Sequence, residues 1–209
     1  PRWVWVGGNI GNPLIQFVDE IKADDVVILE LSSFQLELMR TSPHIAAVLN
    51  ITPNHLDRHG TMSDYIRAKS SILKHQQPGD IAILNREDPE SWNLRHLVCG
   101  HLISFGFARP ENDDPAVYLE NGTVVFQQNG LHSPLLDSSM IQLRGNHNLM
   151  NVLAACAIAA AMQLSPSAMH TGVEGFTGVS HRLELVRIHN GVKWINDSIA
   201  TAPERTQAA

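Results

Sequence analysis

"IAAVLNITPNHLDRHGTMSDYIRAKSSILKHQQPGDIAILN", residues Ile45 to Asn85, is the stretch that decides the fold. Two short apolar runs, "IAAVLN" and "IAILN", stand at its ends and read as buried strands. Between them "TMSDYIRAKSSIL", residues 61–73, reads as a helix. Ser63 is its expected N-cap, and Asp64 suits the positive end of a helix dipole. On a helical wheel Tyr65, Ile66, Ile72 and Leu73 share one apolar arc, while Arg67 and Lys74 point the other way. Lys69 falls in the middle of the apolar arc. A strand, a helix and a strand in that order predict a parallel pair, with one lysine aimed at the core.

Working outward, the same alternation continues. "WVWV" (3–6) reads as a strand leading into a Gly-rich turn, Pro13 to Ile21 as a helix, and "VVILE" (26–30) as another buried strand. This alternation predicts an α/β fold with a mostly parallel sheet flanked by helices. From Ala116 to Leu143 the pattern changes to short β runs with Asn-Gly signals at Asn121-Gly122 and Asn129-Gly130, which predict a small antiparallel β region. "NHNLMNVLAACAIAAAM" then reads as a long helix, with a second starting near Ser165. "LELVRIHNGVKWIND" reads as two strands joined at Asn190-Gly191. A domain boundary is expected near residues 184–190, dividing the chain into 1–186 and 187–209. The chain opens without Met on a strand already under way, and a helix is expected from Pro203; both features suggest a piece of a larger protein.

With 209 residues, 44% hydrophobic and 17% charged, this is ordinary globular composition. The formal net charge of −6 argues against a nucleic-acid or anionic-membrane surface. No apolar run approaches the roughly 20 residues that span a bilayer. Cys99 and Cys156 have no metal-ligand spacing, so a reduced, cytoplasmic protein is the simplest reading.

Ligands of open α/β sheets bind beyond the carboxyl ends of the strands. That rule selects Gly7, Gly8 and Asn9 after "WVWV", and Glu30 at the end of "VVILE". It also selects the loop after Asn50, which carries His55, Asp57, Arg58 and His59. Lys69 joins them from the helix. Each has a plainer reading: Glu30 as an exposed cap, the histidine as a loop residue, "GGNIG" as a tight turn, Lys69 as a snorkelling side chain. Farther on, Asn148 and Asn151 lie on one helix face, where their amides can read a base edge or cap the helix. Arg182 beside His181 can clamp a phosphate, and Asp197 at a strand end can hold a ribose hydroxyl or a metal-bound water. Surface hydrogen bonding is the alternative for each.

Taken together, "GGNIG", "LELSSFQLE", "LNITPNHLDRHGT", "YIRAKSSI", "GNHNLMNVLAA", "SHRLE" and "WINDSIAT" resemble the Mur ligases of peptidoglycan synthesis, in order and over nearly the whole chain. "GGNIG" with "ELSSFQLE" is similar to the D-glutamate-adding branch. The resemblance implies a central ATPase domain over 1–186, N-terminally truncated, and the start of a C-terminal Rossmann-like domain over 187–209. It implies ATP and Mg2+ as cofactors, and UDP-N-acetylmuramoyl-L-alanine and D-glutamate as substrates joined through an acyl phosphate. Glu30 and His55 are implied as magnesium ligands, and Lys69 as a carbamylated lysine supporting the second ion. Asn9, Ser32 and Gln35 are implied as contacts to the muramoyl substrate. Asn148, Asn151, His181, Arg182 and Asp197 are implied on the ATP side. Two positions depart from the pattern: Ile199 stands where some members have lysine, and Asn54 where some have an acidic residue. No GxxxxGKS or GxxxxGKT stretch is present, and the family places that loop upstream. The isolated chain is therefore expected to fold but not catalyse, and to self-associate through exposed strand edges, the parent being monomeric. A folylpolyglutamate synthase-like ligase and a non-catalytic nucleotide-binding module stand as alternatives.

Overall fold

The computed structural model describes residues 3–11 and 13–200. The chain runs through β1 (Val4–Gly8), β2 (Val26–Glu30), α1 (Ser33–Glu37), β3 (Ile45–Val48), α2 (Leu56–His59), α3 (Met62–Lys74) and β4 (Ile81–Asn85). Then come α4 (Pro89–Asn93), β5 (His101–Phe105), β6 (Ala116–Glu120), β7 (Thr123–Gln128), β8 (Leu131–Asp137), α5 (Asn146–Ala161) and α6 (Pro166–Glu174). The hairpin of β9 (Glu184–His189) and β10 (Val192–Asn196) follows.

β3 to β8 form one six-stranded sheet in sequence order. β3, β4, β5 and β6 pair in parallel, whereas β6–β7 and β7–β8 are antiparallel. The expected antiparallel region is thus an extension of the parallel sheet, joined where Ser104 and Phe105 pair with Ala116 and Val117. Period-two alternation builds the layers. Ile83 of β4 faces one core with Phe105, Val117 and Leu153 of α5, while its neighbours Ala82 and Leu84 face another with Tyr65 and Leu73 of α3. The helix of the opening stretch therefore covers one face and the Ala-rich helix the other.

The Asn-Gly signals are borne out at all three hairpins: both turn residues have positive φ at Asn121-Gly122, Asn129-Gly130 and Asn190-Gly191. Ser165 caps α6, its hydroxyl accepting from the Ala168 N–H at 3.2 Å with Pro166 in the first turn. Four expectations are corrected. The cap of α3 is Thr61, whose backbone is extended and whose Oγ1 accepts from the Asp64 N–H at 3.1 Å; Ser63 lies inside the helix. Residues 13–21 form only a short 3-10 turn, Leu14–Phe17, with no side-chain cap and no buried residue to hold a longer helix. β8 ends at Asp137, whose carboxylate takes the Ser139 N–H at 2.8 Å and starts a 3-10 turn, so residues 138–143 are not strand. "VVILE" is a strand but not a buried one: Val27, Ile28 and Leu29 are 42%, 46% and 49% exposed. β1 and β2 pair in parallel apart from the six-stranded sheet and pack chiefly against the 3-10 turn, with Trp5 and Phe17 rings 5.8 Å apart.

The expected boundary at 186/187 falls inside β9, and β9 pairs only with β10 among the described strands. The helix expected from Pro203 lies outside the described residues. Among the described residues, no helix is long and apolar enough to cross a membrane.

Candidate functional site

The rim begins where β1 and β2 end together. Gly8 pairs with Glu30, and the Asn9 N–H donates to the Glu30 carbonyl at 2.7 Å. Gly8 has φ +107°, and a Cβ there would lie 2.2 Å from the Glu30 carbonyl oxygen. Only glycine permits that approach. The "GGN" turn thus brings Asn9 to Glu30, whose side chain is exposed at the carboxyl end of its strand. Just beyond, Ser32 and Gln35 form a capping box at the start of α1. The Gln35 side chain accepts from the Ser32 N–H at 2.9 Å, and Ser32 Oγ accepts from the Gln35 N–H at 3.3 Å. Both implied substrate contacts are engaged with each other.

His55 takes the N-cap position of α2 in the left-handed region, φ 53° and ψ 30°, its N–H donating to Asn54 Oδ1 at 3.0 Å. Such a conformation is uncommon for any non-glycine residue. Its ring meets Phe34 at 5.2 Å; Phe34 stacks on His59 at 5.1 Å and 4°; His59 meets Tyr65 at 5.2 Å. Lys69 Nζ lies 5.5 Å from the Tyr65 ring centre. A continuous row of rings therefore connects His55 to Lys69. Lys69 is half-buried, as its place on the apolar arc predicted, and burial holds its pKa below the ordinary lysine value, opposed by the charges of Glu30 and Asp88. Glu30 and Lys69 thus share one field, although no hydrogen bond or ion pair joins Glu30, His55 and Lys69 directly among the described residues.

Asp88 was missed by the sequence reading. Its Oδ1 caps α4 by accepting from the Ser91 N–H at 2.7 Å and reaches across to the Ile51 N–H at 3.1 Å. It thereby ties the exit of β3 to the exit of β4 beside Lys69. The signal was present: an acidic residue just past a strand end and just before Pro89 at a helix start. His59 was noted only as one of the loop residues; it is in fact buried.

A second group gathers elsewhere. Asn148 is buried in the first turn of α5, its amide donating to the Arg144 carbonyl at 2.7 Å, with Asn151 Nδ2 3.5 Å from its Oδ1. The two amides share one face as expected. Asn151 also lines an apolar cavity of about 320 Å³ between α5 and α6, with Cys156, Met169 and Phe176 among its walls. At the open end of the β9–β10 hairpin, Asp197 accepts from the Leu183 N–H at 3.1 Å. His181 Nδ1 there lies 2.8 Å from Asn196 Nδ2, and the His181 N–H donates to Glu184 at 2.8 Å. His181 and Leu183 both have positive φ. The corner brings His181 and Asp197 together and leaves the Arg182 side chain exposed.

Among the described residues no three His, Cys, Asp or Glu side chains converge as a ready metal cage. Of the three groups on this rim only the Glu30 carboxylate is an oxygen donor of the kind a hard cation takes. An open α/β sheet with polar groups gathered beyond its strand ends defines a class of domain that binds ligands on that rim. The chain belongs to the Mur ligase family: the model of the Mur ligase middle domain matches residues 9–159. It is 43% identical over 208 residues to the UDP-N-acetylmuramoylalanine–D-glutamate ligase of Symbiobacterium thermophilum, covering 100% of this chain and 46% of that protein. It is 44% identical over 200 residues to the same-named ligase of Pelotomaculum thermopropionicum, covering 95% and 44%. The chain thus spans less than half the length of these curated relatives. Among solved structures, MurF from Acinetobacter baumannii matches with a TM-score of 0.70 at 20% identity, over 99% of this chain and 52% of that one. MurF from Thermotoga maritima in complex with ADP matches at 0.66 and 18%, over 100% and 50%. At such identities these two support the fold alone.

Proposed function

We propose that the chain is the central part of a cytoplasmic, ATP-dependent ligase that adds D-glutamate to UDP-N-acetylmuramoyl-L-alanine in peptidoglycan synthesis. The observation that carries the reading is the likeness to D-glutamate ligases over the whole chain, at 43% identity. The half-buried lysine beside Glu30 and Asp88 supports it. Residues 187–209 would begin a further, Rossmann-like domain.

In this reading ATP phosphorylates the alanyl carboxylate, the D-glutamate amine attacks the acyl phosphate, and phosphate leaves. Glu30 and His55 would hold magnesium, which when bound neutralises charge between two polyanions. Lys69, its amine kept toward the neutral form by burial, would add to carbon dioxide with loss of a proton and become an anionic carbamate. Its place over Tyr65 keeps that group on the rim. Asn9, whose backbone is tied to Glu30, would orient the muramoyl substrate. Ser32 and Gln35 would do so by exchanging part of their capping box for it. Asn148 would set Asn151 against the adenine edge, with His181, Arg182 and Asp197 closing on the phosphate and ribose side.

The test is the full-length ligase assayed for phosphate release and amide formation with D-glutamate, L-lysine and folate substrates. Lys69→Ala is expected to lose most activity, and formate to restore part of it. Turnover with another amino acid and not D-glutamate would move the chain to a sister ligase. No turnover with any would favour a non-catalytic module.

A further inference from the structure

We infer that His59 is a positioning residue: pinned to α1 by Ser33 and Glu37, it sets the ring row that spaces His55 from Lys69. This rests on the ligase reading of the rim. Ser33 and His59 are 5% and 9% exposed, so both are buried beneath the rim rather than presented on it. His59 Nε2 and Ser33 Oγ are 2.9 Å apart. On the other side of the ring, Nδ1 is buried without a hydrogen bond, although Glu37 Oε1 stands 3.3 Å away at ion-pair distance. With Nδ1–H turned toward that carboxylate, Nε2 accepts the Ser33 O–H, so one edge of the ring is hydrogen-bonded to α1 and the other faces a charge on the same short helix.

The consequence follows from what the ring touches. Phe34 lies on one of its faces, nearly parallel, and also carries His55 and the Arg58 guanidinium, 4.6 Å from its centre. Tyr65 meets the same imidazole and sits under Lys69. His55 hangs from a strained left-handed residue, and Lys69 from a helix three turns long. Nothing else among the described contacts links the two side chains. If His59 rotates, Phe34 loses the ring it stacks on, and the row is broken between His55 and Tyr65, which the core holds in place. Buried polar groups specify one arrangement because the alternatives leave a donor or acceptor unpaired.

The test uses full-length ligase in three forms. His59→Phe keeps the stacked ring and removes the Ser33 hydrogen bond and the charge contact with Glu37. Ser33→Ala removes one bond with little change of volume. The double variant removes the orphaned hydroxyl as well. Each single variant is expected to lower kcat on the order of tenfold or more while leaving KM for ATP within about threefold, because misplacement within a site acts on the reacting geometry. The double variant should be no worse than His59→Phe alone. A readout independent of turnover is the ring signal of His55 in enzyme carrying 13C-labelled histidine, without nucleotide or magnesium, assigned by its loss in His55→Gln. In the wild type it carries the ring-current shift of Phe34, and in Ser33→Ala and His59→Phe that shift should be lost. An unmoved His55 signal, or wild-type kcat in both single variants, overturns the inference. A moved signal in an enzyme without D-glutamate activity would sustain the positioning role and count against the ligase reading alone.

Discussion

Replacing Lys69 by methionine should make this chain more stable and, on the proposed ligase reading, abolish turnover of the full-length protein. The lysine stem packs on the apolar arc of α3, but its ammonium is half-buried. Burying a polar group without full compensation costs about 1–3 kcal/mol in mutational data. Attraction to Glu30 and Asp88 offsets part of this, so a net gain on the order of 1 kcal/mol remains when methionine keeps the stem and drops the charge. For a chain of this length that raises Tm by about 2–4 °C. The sign with pH follows from linkage. Burial lowers the folded-state pKa of Lys69, so folding the charged form carries a penalty below that pKa, which fades as pH rises to the ordinary value of 10.5. The advantage of Lys69→Met should therefore be larger at pH 7 than at pH 10.5, where the penalty has faded. The assay is thermal unfolding in carbon dioxide-depleted, magnesium-free buffer at both pH values, with turnover of the parent measured in parallel. A variant that melts below wild type at pH 7, or whose advantage is the same at both pH values, refutes the reasoning.

Other outcomes follow from single contacts. Leu84→Ala empties a fully buried position of β4 and should destabilise by about 2–5 kcal/mol in a denaturant titration. Gly8→Ala forces a Cβ against the Glu30 carbonyl at positive φ and should lower the urea midpoint by the equivalent of about 1–3 kcal/mol. Asp88→Ala removes the α4 cap and orphans the Ile51 N–H, a loss of about 1–2 kcal/mol by chemical denaturation. Burial pushes the Cys156 thiol up to about 11, so at pH 8 a thiol reagent should label exposed Cys99 within the native chain and reach Cys156 only after unfolding.

The layers were legible because local signals and global packing agreed. The continuous apolar runs at Ile45 and Ile81, the apolar arc of α3 and the three Asn-Gly turns each encode their own geometry. What escaped has a physical reason in each case. "VVILE" has the composition of a buried strand, but burial is a property of what packs on it, and β2 lies apart from the main sheet. Thr61 displaced Ser63 as the cap because the choice rests on which residue is extended, which propensity alone does not say. "HLISF", which became β5, is bounded by Gly100 and Gly106 but begins with a polar residue and carries a serine within a short run, so composition alone gave it little weight. At the site, Glu30 and Lys69 could be placed by strand ends and helix phase. Asp88 and His59 act through partners far off in sequence, across 37 residues to Ile51 and 26 to Ser33.

Several departures from local rule lie on one rim. A lysine sits on an apolar helix face, a histidine occupies left-handed backbone, and a glycine lets two chains approach closer than any other residue would. A buried imidazole nitrogen also goes without a hydrogen bond. Each is unfavourable alone, and none helps α3, α2 or β1 to form. Sequences are otherwise consistent across levels, so departures that also share one strand-end rim are candidates for selection on something other than stability. The same test separates the second group. Asn148 and Asp197 satisfy nearby backbone groups, as structural residues do, whereas His181 and Leu183 hold positive φ at the corner next to the exposed Arg182. By that measure the β2–α3 rim is the more specialised of the two. It is where substitution should most often trade stability gained against turnover lost.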